Sequence, residues 1–225
     1  MERYDTETNA LDRKLAAGYE PEELPGYLDS GGSADIFQID NGAQVVKIPR
    51  LVSEKGETPQ EVVERYVTAY ERGQGQLGFE QMSAYRLKQN PRVVCQYIEA
   101  KTFEDLTLSE RSEITPHDYD ALFAAYEKMP YLGIEDDRSP RNLLYSPTDG
   151  FIIIDYEATE LASRHFTVED RIMGFATEIL TNGISSGQPL PSYIRVAHET
   201  IVSEIGTDLG RIISTHWKQD GLQLK

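Results

Sequence analysis

The sequence is short of cysteine and of basic residues, and each shortage excludes a class of protein. Cys95 is the only cysteine among 225 residues, so an intramolecular disulfide framework and a cysteine-rich zinc site are excluded, and we expect a reducing compartment, by default the cytoplasm. Lys and Arg number 22 against 38 Asp and Glu, which gives a formal net charge of −16. Nucleic acids and anionic membrane surfaces are bound through Lys and Arg. We therefore expect neither as a partner and favour a basic or cationic one.

Long apolar runs are also absent. No stretch reaches the roughly 20 apolar residues of a membrane span, and the opening Met-Glu-Arg-Tyr-Asp is too polar for a signal peptide. A chain of this length forms one large domain or two small ones, and buries enough surface to fold without metals or disulfides. We expect a monomer.

Strand patterns are concentrated in the first half of the chain. Residues 1–26 are polar and are predicted to be an N-terminal extension. An Asn41-Gly42 turn between two β-rich runs predicts a hairpin, and Thr58-Pro59 with Glu61 predicts a capped helix. The apolar spacing in residues 79–87 predicts a second helix that ends at Asn90-Pro91, and residues 93–98 are predicted to form a strand.

The second half is mostly helical. Thr115 and Thr167 are predicted to start helices, and residues 151–154 to form a strand. Strands early and helices late indicate a segregated α+β fold, with a division near residues 99–102.

One loop carries the most informative pattern. Asp137 and Asn142 are separated by four residues, and Asp155 follows at the end of the predicted strand 151–154. Carboxylate and carboxamide oxygens at loop and strand ends can converge on Mg²⁺, which prefers oxygen ligands and completes its shell with water and phosphate.

This order of residues resembles the protein-kinase-like superfamily, whose catalytic loop ends Asp-x4-Asn and whose second Asp follows on the next strand. It looks most like small fungal kinase-like proteins and minimal bacterial effector kinases. The resemblance implies a two-lobed α+β fold with a small β-rich N-lobe at 27–98 and a helical C-lobe at 99–225. It implies that Asp137 accepts or orients the attacking hydroxyl, that Asn142 and Asp155 hold Mg²⁺, and that Arg141 adds positive charge near the transferred phosphoryl group.

The upstream half supplies the remaining parts in the family's order. Gly31, Gly32 and Ser33 resemble a Gly-rich loop through which the backbone approaches phosphates. By the same resemblance, Lys47 holds the phosphates of ATP and Glu80 pairs with that lysine.

The segment that ends at Glu99 and Ala100 resembles the hinge between the lobes, which binds adenine through backbone groups.

Several positions depart from the family pattern. Glu135-Asp136 replace the usual His-Arg and are interpreted as solvated charges, and Tyr156-Glu157 replace Phe-Gly, as in choline-kinase-like and aminoglycoside-phosphotransferase-like enzymes. The short stretch from Asp155 to Thr167 encodes no long, phosphorylation-switched activation segment.

We therefore expect an ATP- and Mg²⁺-dependent phosphotransferase, in the first place a compact, atypical protein Ser/Thr kinase acting on a basic protein. The alternatives are a hydroxyl kinase for a cationic small molecule and a pseudokinase that acts as a binding module.

Overall fold

The computed structural model describes residues 2–51, 53, 55–77, 85–86, 91–136, 139–159, 166–185 and 187–222, with the backbone alone at 2–6 and 85–86. Contacts divide the chain into two compact units. The first comprises residues 1–74 and 80–99, and the second comprises residues 75–79 and 100–225. The predicted α+β class is confirmed, because the described chain combines antiparallel sheets with several α-helices.

The first unit is built on one antiparallel sheet with strand order β1-β2-β3-β5-β4. Its strands are β1 (Tyr27–Ser30), β2 (Ala34–Ile39), β3 (Gln44–Pro49), β4 (Tyr85–Arg86) and β5 (Val93–Gln96). Its helices are α1 (Glu2–Ala16) and α2 (Pro59–Gly73).

The predicted hairpin and the predicted helix start are both confirmed in this unit. The β2–β3 connection turns through Asp40, Asn41 and Gly42, which all have positive φ, as the short turn requires. Thr58 caps α2 through a capping box with Glu61, whose carboxylate accepts from the backbone N–H of Thr58 at 2.7 Å.

The helix predicted from Phe79 to Asn90 is wrong at Tyr85 and Arg86. Tyr85–Arg86 form β4, which pairs with β5. Pairing with a buried neighbouring strand outweighs a local helical pattern of this length. Residues 79–84 and 87–90 lie outside the described residues.

The first 26 residues, predicted to be an extension, belong to the first unit. Leu11 of α1 and Leu24 lie in the core cluster with Phe37 and other sheet residues. Asp12 forms an ion pair with the buried Arg92, the residue that precedes β5. Polar composition hid this packing, since only two apolar side chains of the segment enter the cluster fully.

The second unit packs helices around two small sheets, β6-β8-β9 and β7-β10. Its strands are β6 (Lys101–Thr102), β7 (Ile134–Glu135), β8 (Leu143–Ser146), β9 (Gly150–Ile153) and β10 (Glu157–Ala158). Its helices are α3 (Leu108–Arg111), α4 (Pro116–Leu132), α5 (Val168–Gly174), which continues into a π-helical turn at Phe175–Ile179, α6 (Ser192–Glu204) and α7 (Thr207–Gln219). Thr115 and Thr167 cap α4 and α5 as predicted.

An aromatic cluster forms the core of this unit. The ring of Phe151 on β9 lies 5.5 Å from that of Tyr119 on α4 and 6.4 Å from that of Phe175, between ring centroids. These contacts fix β9, and with it the strand end that precedes Asp155. No described helix is both long and apolar enough to cross a membrane.

Substitution of Leu11 tests whether α1 is part of the folded unit. We expect Leu11→Ala to lower the free energy of unfolding by about 2–5 kcal/mol, because it leaves a cavity in a packed core. Lys14→Ala, at an exposed position of the same helix, should change it by less than about 0.5 kcal/mol. Urea denaturation measures both, and equal, small effects would show that the helix is dispensable.

The charge of Glu110 makes stability depend on pH in the acid range. The side-chain hydrogen bond from Lys101, and next the backbone N–H and hydroxyl of Thr107, lower the pKa of Glu110 from 4.5 to about 2. A carboxylate with a lowered pKa in the folded state stabilises fully above its unfolded pKa, and this contribution is lost as the pH falls towards the folded pKa.

We therefore expect the stability difference between the wild type and Glu110→Gln to shrink as the pH falls from about 6 to about 3. Gln preserves the capping geometry and removes the charge. Urea denaturation across this range measures the difference. A difference that is the same at both ends would contradict the lowered pKa.

Candidate functional site

The β8–β9 hairpin brings two of the predicted site residues together. Leu143 pairs with Ile153, and the backbone N–H of Ile154 donates to the carbonyl of Asn142 at 2.8 Å. Asn142 and Asp155 therefore lie at the same end of the hairpin, one at the start of β8 and the other just past the end of β9. Both side chains are partly exposed.

Asp155 has an unusual backbone conformation. Its φ is 60°, in the left-handed region that costs most L-residues about 1 kcal/mol or more and that Asp and Asn tolerate best. The chain thus turns sharply directly after β9. A strained residue at the end of a packed strand is typical of a functional position.

A second strand pair joins the approaches to the loop 136–142 and to Asp155. β7 precedes this loop and pairs antiparallel with β10, so that Glu135 lies opposite Glu157 and Ile134 opposite Ala158. Glu135, just before this loop, is therefore held beside the segment that follows Asp155. Asp137, the predicted catalytic residue, lies outside the described residues.

A buried ion pair anchors the start of the loop. Arg171 of α5 donates from Nη1 to the Asp136 carboxylate and from Nη2 to the carbonyl of Ile134 at 2.9 Å. The two side chains are 2% and 4% exposed. Asp136 is covalently attached to Asp137, so this pair fixes the residue immediately before the candidate catalytic one.

The interpretation of Asp136 as a solvated charge is therefore wrong. Sequence reasoning also missed its partner, although a signal was present. Arg171, Phe175 and Ile179 recur at intervals of four, which places a cation on the apolar face of α5. A cation on a buried helix face requires an acidic partner.

Arg141, predicted to act near the transferred phosphoryl group, lies on the surface. Its Nε donates to Glu104 at 2.7 Å, and the two side chains are 68% and 39% exposed. An ion pair this exposed contributes about 1 kcal/mol or less. Arg141 can therefore exchange its partner at low cost.

Gly31, Gly32 and Ser33 form the glycine turn of the first unit, which connects β1 to β2. Ser33 is buried, and Gly31 does not have the positive φ that would require glycine. A Cβ added to Gly31 would meet only the carbonyl oxygen of Ala34, at the ordinary contact distance of 3.8 Å. Neither backbone conformation nor packing explains glycine at position 31. Close approach of a ligand to the backbone would explain it.

Lys47 is a buried lysine on β3, directly opposite Ile36 of β2. Its Nζ lies 4.2 Å from the centre of the Tyr66 ring on α2, a cation–π distance. Glu80, its predicted carboxylate partner, lies outside the described residues. The buried face of α2 consists of apolar and tyrosine side chains, and Glu61, Glu64 and Glu71 of this helix are exposed.

The predicted hinge residues lie where the two units divide. Glu99 is exposed and ends the first unit, and Ala100 begins the second. The segment has no regular secondary structure between β5 and β6. Its backbone groups are therefore not all committed to strand pairing.

The donor set in the second unit is compatible with magnesium. Asn142 and Asp155 offer amide and carboxylate oxygens at the same end of the β8–β9 hairpin, the ligand type that Mg²⁺ prefers. Among the described residues, no group of three His, Cys, Asp or Glu side chains could hold a metal. A site here would thus take two protein ligands from the described chain and further oxygens from substrate and water.

Comparison with known proteins adds no further constraint. No protein-family model matches this chain, and no curated protein sequence matches it. The functional proposal therefore rests on the site geometry and on the sequence motifs.

The Arg171–Asp136 pair should be tightly coupled. We expect Arg171→Met to cost about 3–5 kcal/mol, because it leaves a buried carboxylate without its cation. Arg171→Met combined with Asp136→Asn should cost less than the sum of the two single changes, by about 1–3 kcal/mol.

Urea denaturation of the four proteins in this double-mutant cycle gives the coupling energy. The exposed pair supplies the control, since Arg141→Met should cost about 1 kcal/mol or less. Additive effects of Arg171→Met and Asp136→Asn would contradict a shared buried interaction.

Proposed function

We propose that the protein is an ATP- and Mg²⁺-dependent phosphotransferase that phosphorylates a hydroxyl group, in the first place a Ser or Thr of a basic protein. The observation that carries the proposal is the β8–β9 hairpin, which brings Asn142 and the left-handed Asp155 to the same end of the strand pair. The spacing Asp137-x4-Asn142, followed by Asp155 after a strand, is the order used for phosphoryl transfer in kinase-like enzymes.

Phosphoryl transfer relies mainly on positioning and on charge neutralisation. Asn142 and Asp155 would hold the metal, which when bound neutralises charge on the phosphate oxygens. Lys47 donates to the phosphates of the nucleotide, and its burial strengthens that interaction because water competes less. Asp137 accepts or orients the substrate hydroxyl.

The residues of the first unit support the same assignment. Gly31, which neither packing nor backbone conformation requires to be glycine, lies in the β1–β2 turn. The buried Lys47 lies on β3, two strands further along the chain from β1. Helix α2 follows β3 and packs against β3, β4 and β5. This order of turn, strand lysine and helix is the order in the nucleotide-binding part of kinases.

One observation favours a second candidate substrate, a small cationic alcohol. Glu135 and Glu157 lie directly opposite each other in the β7–β10 pair, where like charges destabilise a strand pair. A cationic substrate near these carboxylates would relieve that repulsion. The Tyr156-Glu157 sequence after Asp155 resembles the small-molecule kinases in the same respect.

Transfer of label from γ-labelled ATP tests the proposal. The full chain is incubated with Mg²⁺ and either basic proteins or a panel of amino alcohols, and we expect Asp155→Asn and Asp137→Ala to lower transfer by about 100-fold or more. Asn tolerates the left-handed conformation and has the size of Asp, so Asp155→Asn removes the charge and keeps the turn.

Lys47→Met should lower kcat/KM, with a loss of transition-state stabilisation of several kcal/mol, since it removes charge at the phosphates and keeps about the length of the side chain. Glu199→Gln, which removes an exposed carboxylate on α6, is the control and should match the wild type.

The acceptor class that takes label from ATP decides between the two candidate substrates. If the wild type transfers label to no acceptor, the proposal fails, and ATP binding without transfer would indicate a pseudokinase.

A further inference from the structure

A second cation lies beside the glycine turn of the first unit. The guanidinium carbon of Arg65 is 5.8 Å from the centre of the Tyr66 ring, and Lys47 Nζ is 4.2 Å from the same centre. Two cations thus border one ring. The Lys47 side chain is buried, and that of Arg65 is 12% exposed.

The Arg65 side chain is held in place from two sides. Its Nη2 forms an ion pair with Glu57 Oε2 at 3.1 Å and lies 3.5 Å from the Oγ of Ser33, to which it donates. Glu57 is itself fixed, because its backbone N–H donates to Ser53 Oγ at 2.9 Å and the Ser53 hydroxyl donates to its carboxylate. The guanidinium of Arg65 therefore lies beside the turn before any ligand binds.

The turn that Arg65 contacts is also rigidly placed. The backbone N–H of Arg50 donates to the carbonyl of Ser33 at 3.0 Å, and the Arg50 side chain pairs with Asp35. Asp35 accepts in turn from the hydroxyl of Ser30 at 2.8 Å. Both ends of the turn are therefore fixed, and Gly31 between them is exposed, with its own backbone N–H donated to the carbonyl of Ala34 at 2.9 Å.

We propose that Arg65 is a second phosphate-binding residue, which binds the phosphate chain of the nucleotide together with Lys47 and the glycine turn. The inference rests on the proposed function, whose phosphate site it completes. A guanidinium presents paired N–H donors that match phosphate oxygens, and its charge-assisted hydrogen bonds are stronger than neutral ones. Ser33 and Tyr66 are positioning residues for this cation.

Exchange of partners explains how Arg65 binds without leaving a charge buried. Glu57 is 23% exposed in its side chain, so water can solvate its carboxylate when Arg65 turns to the phosphates. A polyphosphate carries several negative charges and attracts two adjacent cations more strongly than one carboxylate does. The affinity gained should therefore increase with the number of phosphates.

A purely structural Arg65 would behave differently. If Arg65 only clamps the turn, its removal changes stability and affects all ligands alike. If it binds phosphate, its removal lowers the affinity more for ligands with more phosphates and leaves the affinity for adenosine unchanged.

Isothermal titration calorimetry of the full chain with ATP, ADP, adenosine and tripolyphosphate separates these cases. We expect Arg65→Met to weaken the binding of ATP and of tripolyphosphate by about tenfold or more, because the variant loses a charge-assisted hydrogen bond. The affinity for ADP should fall less, and the affinity for adenosine should not change. Arg65→Lys, which keeps the charge without the paired donors, should lie between the wild type and Arg65→Met.

Arg72→Met is the matched control, two turns further along α2, and should bind all four ligands as the wild type does. Thermal unfolding followed by circular dichroism reports whether each variant is folded. Ser33→Ala, which removes the hydroxyl that orients Arg65, should also lower the affinity for ATP. It supplies a second test if Arg65→Met does not fold.

The outcomes distinguish this inference from the function on which it rests. ATP binding that needs Lys47 and is unchanged in Arg65→Met and Arg65→Lys overturns the role of Arg65 and leaves the proposed function standing. A third outcome is that tripolyphosphate binding needs Arg65, that ATP and tripolyphosphate bind with equal affinity, and that no phosphoryl group is transferred. This outcome supports the anion site and overturns the nucleotide assignment. Absence of binding by both ligands overturns both.

Discussion

The cost of removing charge from water constrains both units of this protein. Burying an ionised side chain costs several kcal/mol unless a partner replaces its hydration, and the chain nevertheless buries Lys47, Arg111 and Arg171. Each has a specific environment: the Tyr66 ring beside Lys47, backbone carbonyls and the Tyr193 hydroxyl around Arg111, and Asp136 at Arg171. One of these cations, Lys47, is at a position that the sequence motifs assign to phosphoryl transfer. The partner of another, Asp136, directly precedes Asp137 in the sequence.

This constraint links the core of the second unit to its candidate site. Arg171 lies on α5, whose π-helical continuation packs Phe175 into the aromatic cluster with Tyr119 and Phe151. The same cluster holds β9, at whose end Asp155 takes its left-handed conformation. The approaches to Asp137 and to Asp155 are thus supported by one core, which is how a rigid scaffold preorganises charged groups.

Local signals in the sequence predicted much of this arrangement. Threonine caps at positions 58, 115 and 167 identified three helix starts, and Asn41-Gly42 identified a hairpin, because caps and turns depend on residues a few positions apart. The hairpin that joins Asn142 to Asp155 was also predictable, since two apolar runs flank a short turn. The α+β class followed from the order of these elements.

The remaining features depend on contacts between residues far apart in sequence. Asp136 and Arg171 are 35 residues apart, and Ser33 and Arg65 are 32 apart, so no local pattern identifies which residue pairs with which. The strand at Tyr85–Arg86 forms through its partner β5 and contradicts the local helical spacing. The packing of residues 1–26 depends on a few apolar side chains within a polar segment, which composition alone conceals.

The central claim is that this carboxylate site transfers the terminal phosphoryl group of ATP. Formation of ADP over time by the full chain, with and without Mg²⁺, in the wild type and in folded Asp155→Asn, tests that claim most directly. We predict Mg²⁺-dependent ADP formation in the wild type that falls to the background rate in Asp155→Asn. Equal ADP formation by the two proteins, or none by the wild type with any hydroxyl acceptor, would contradict it.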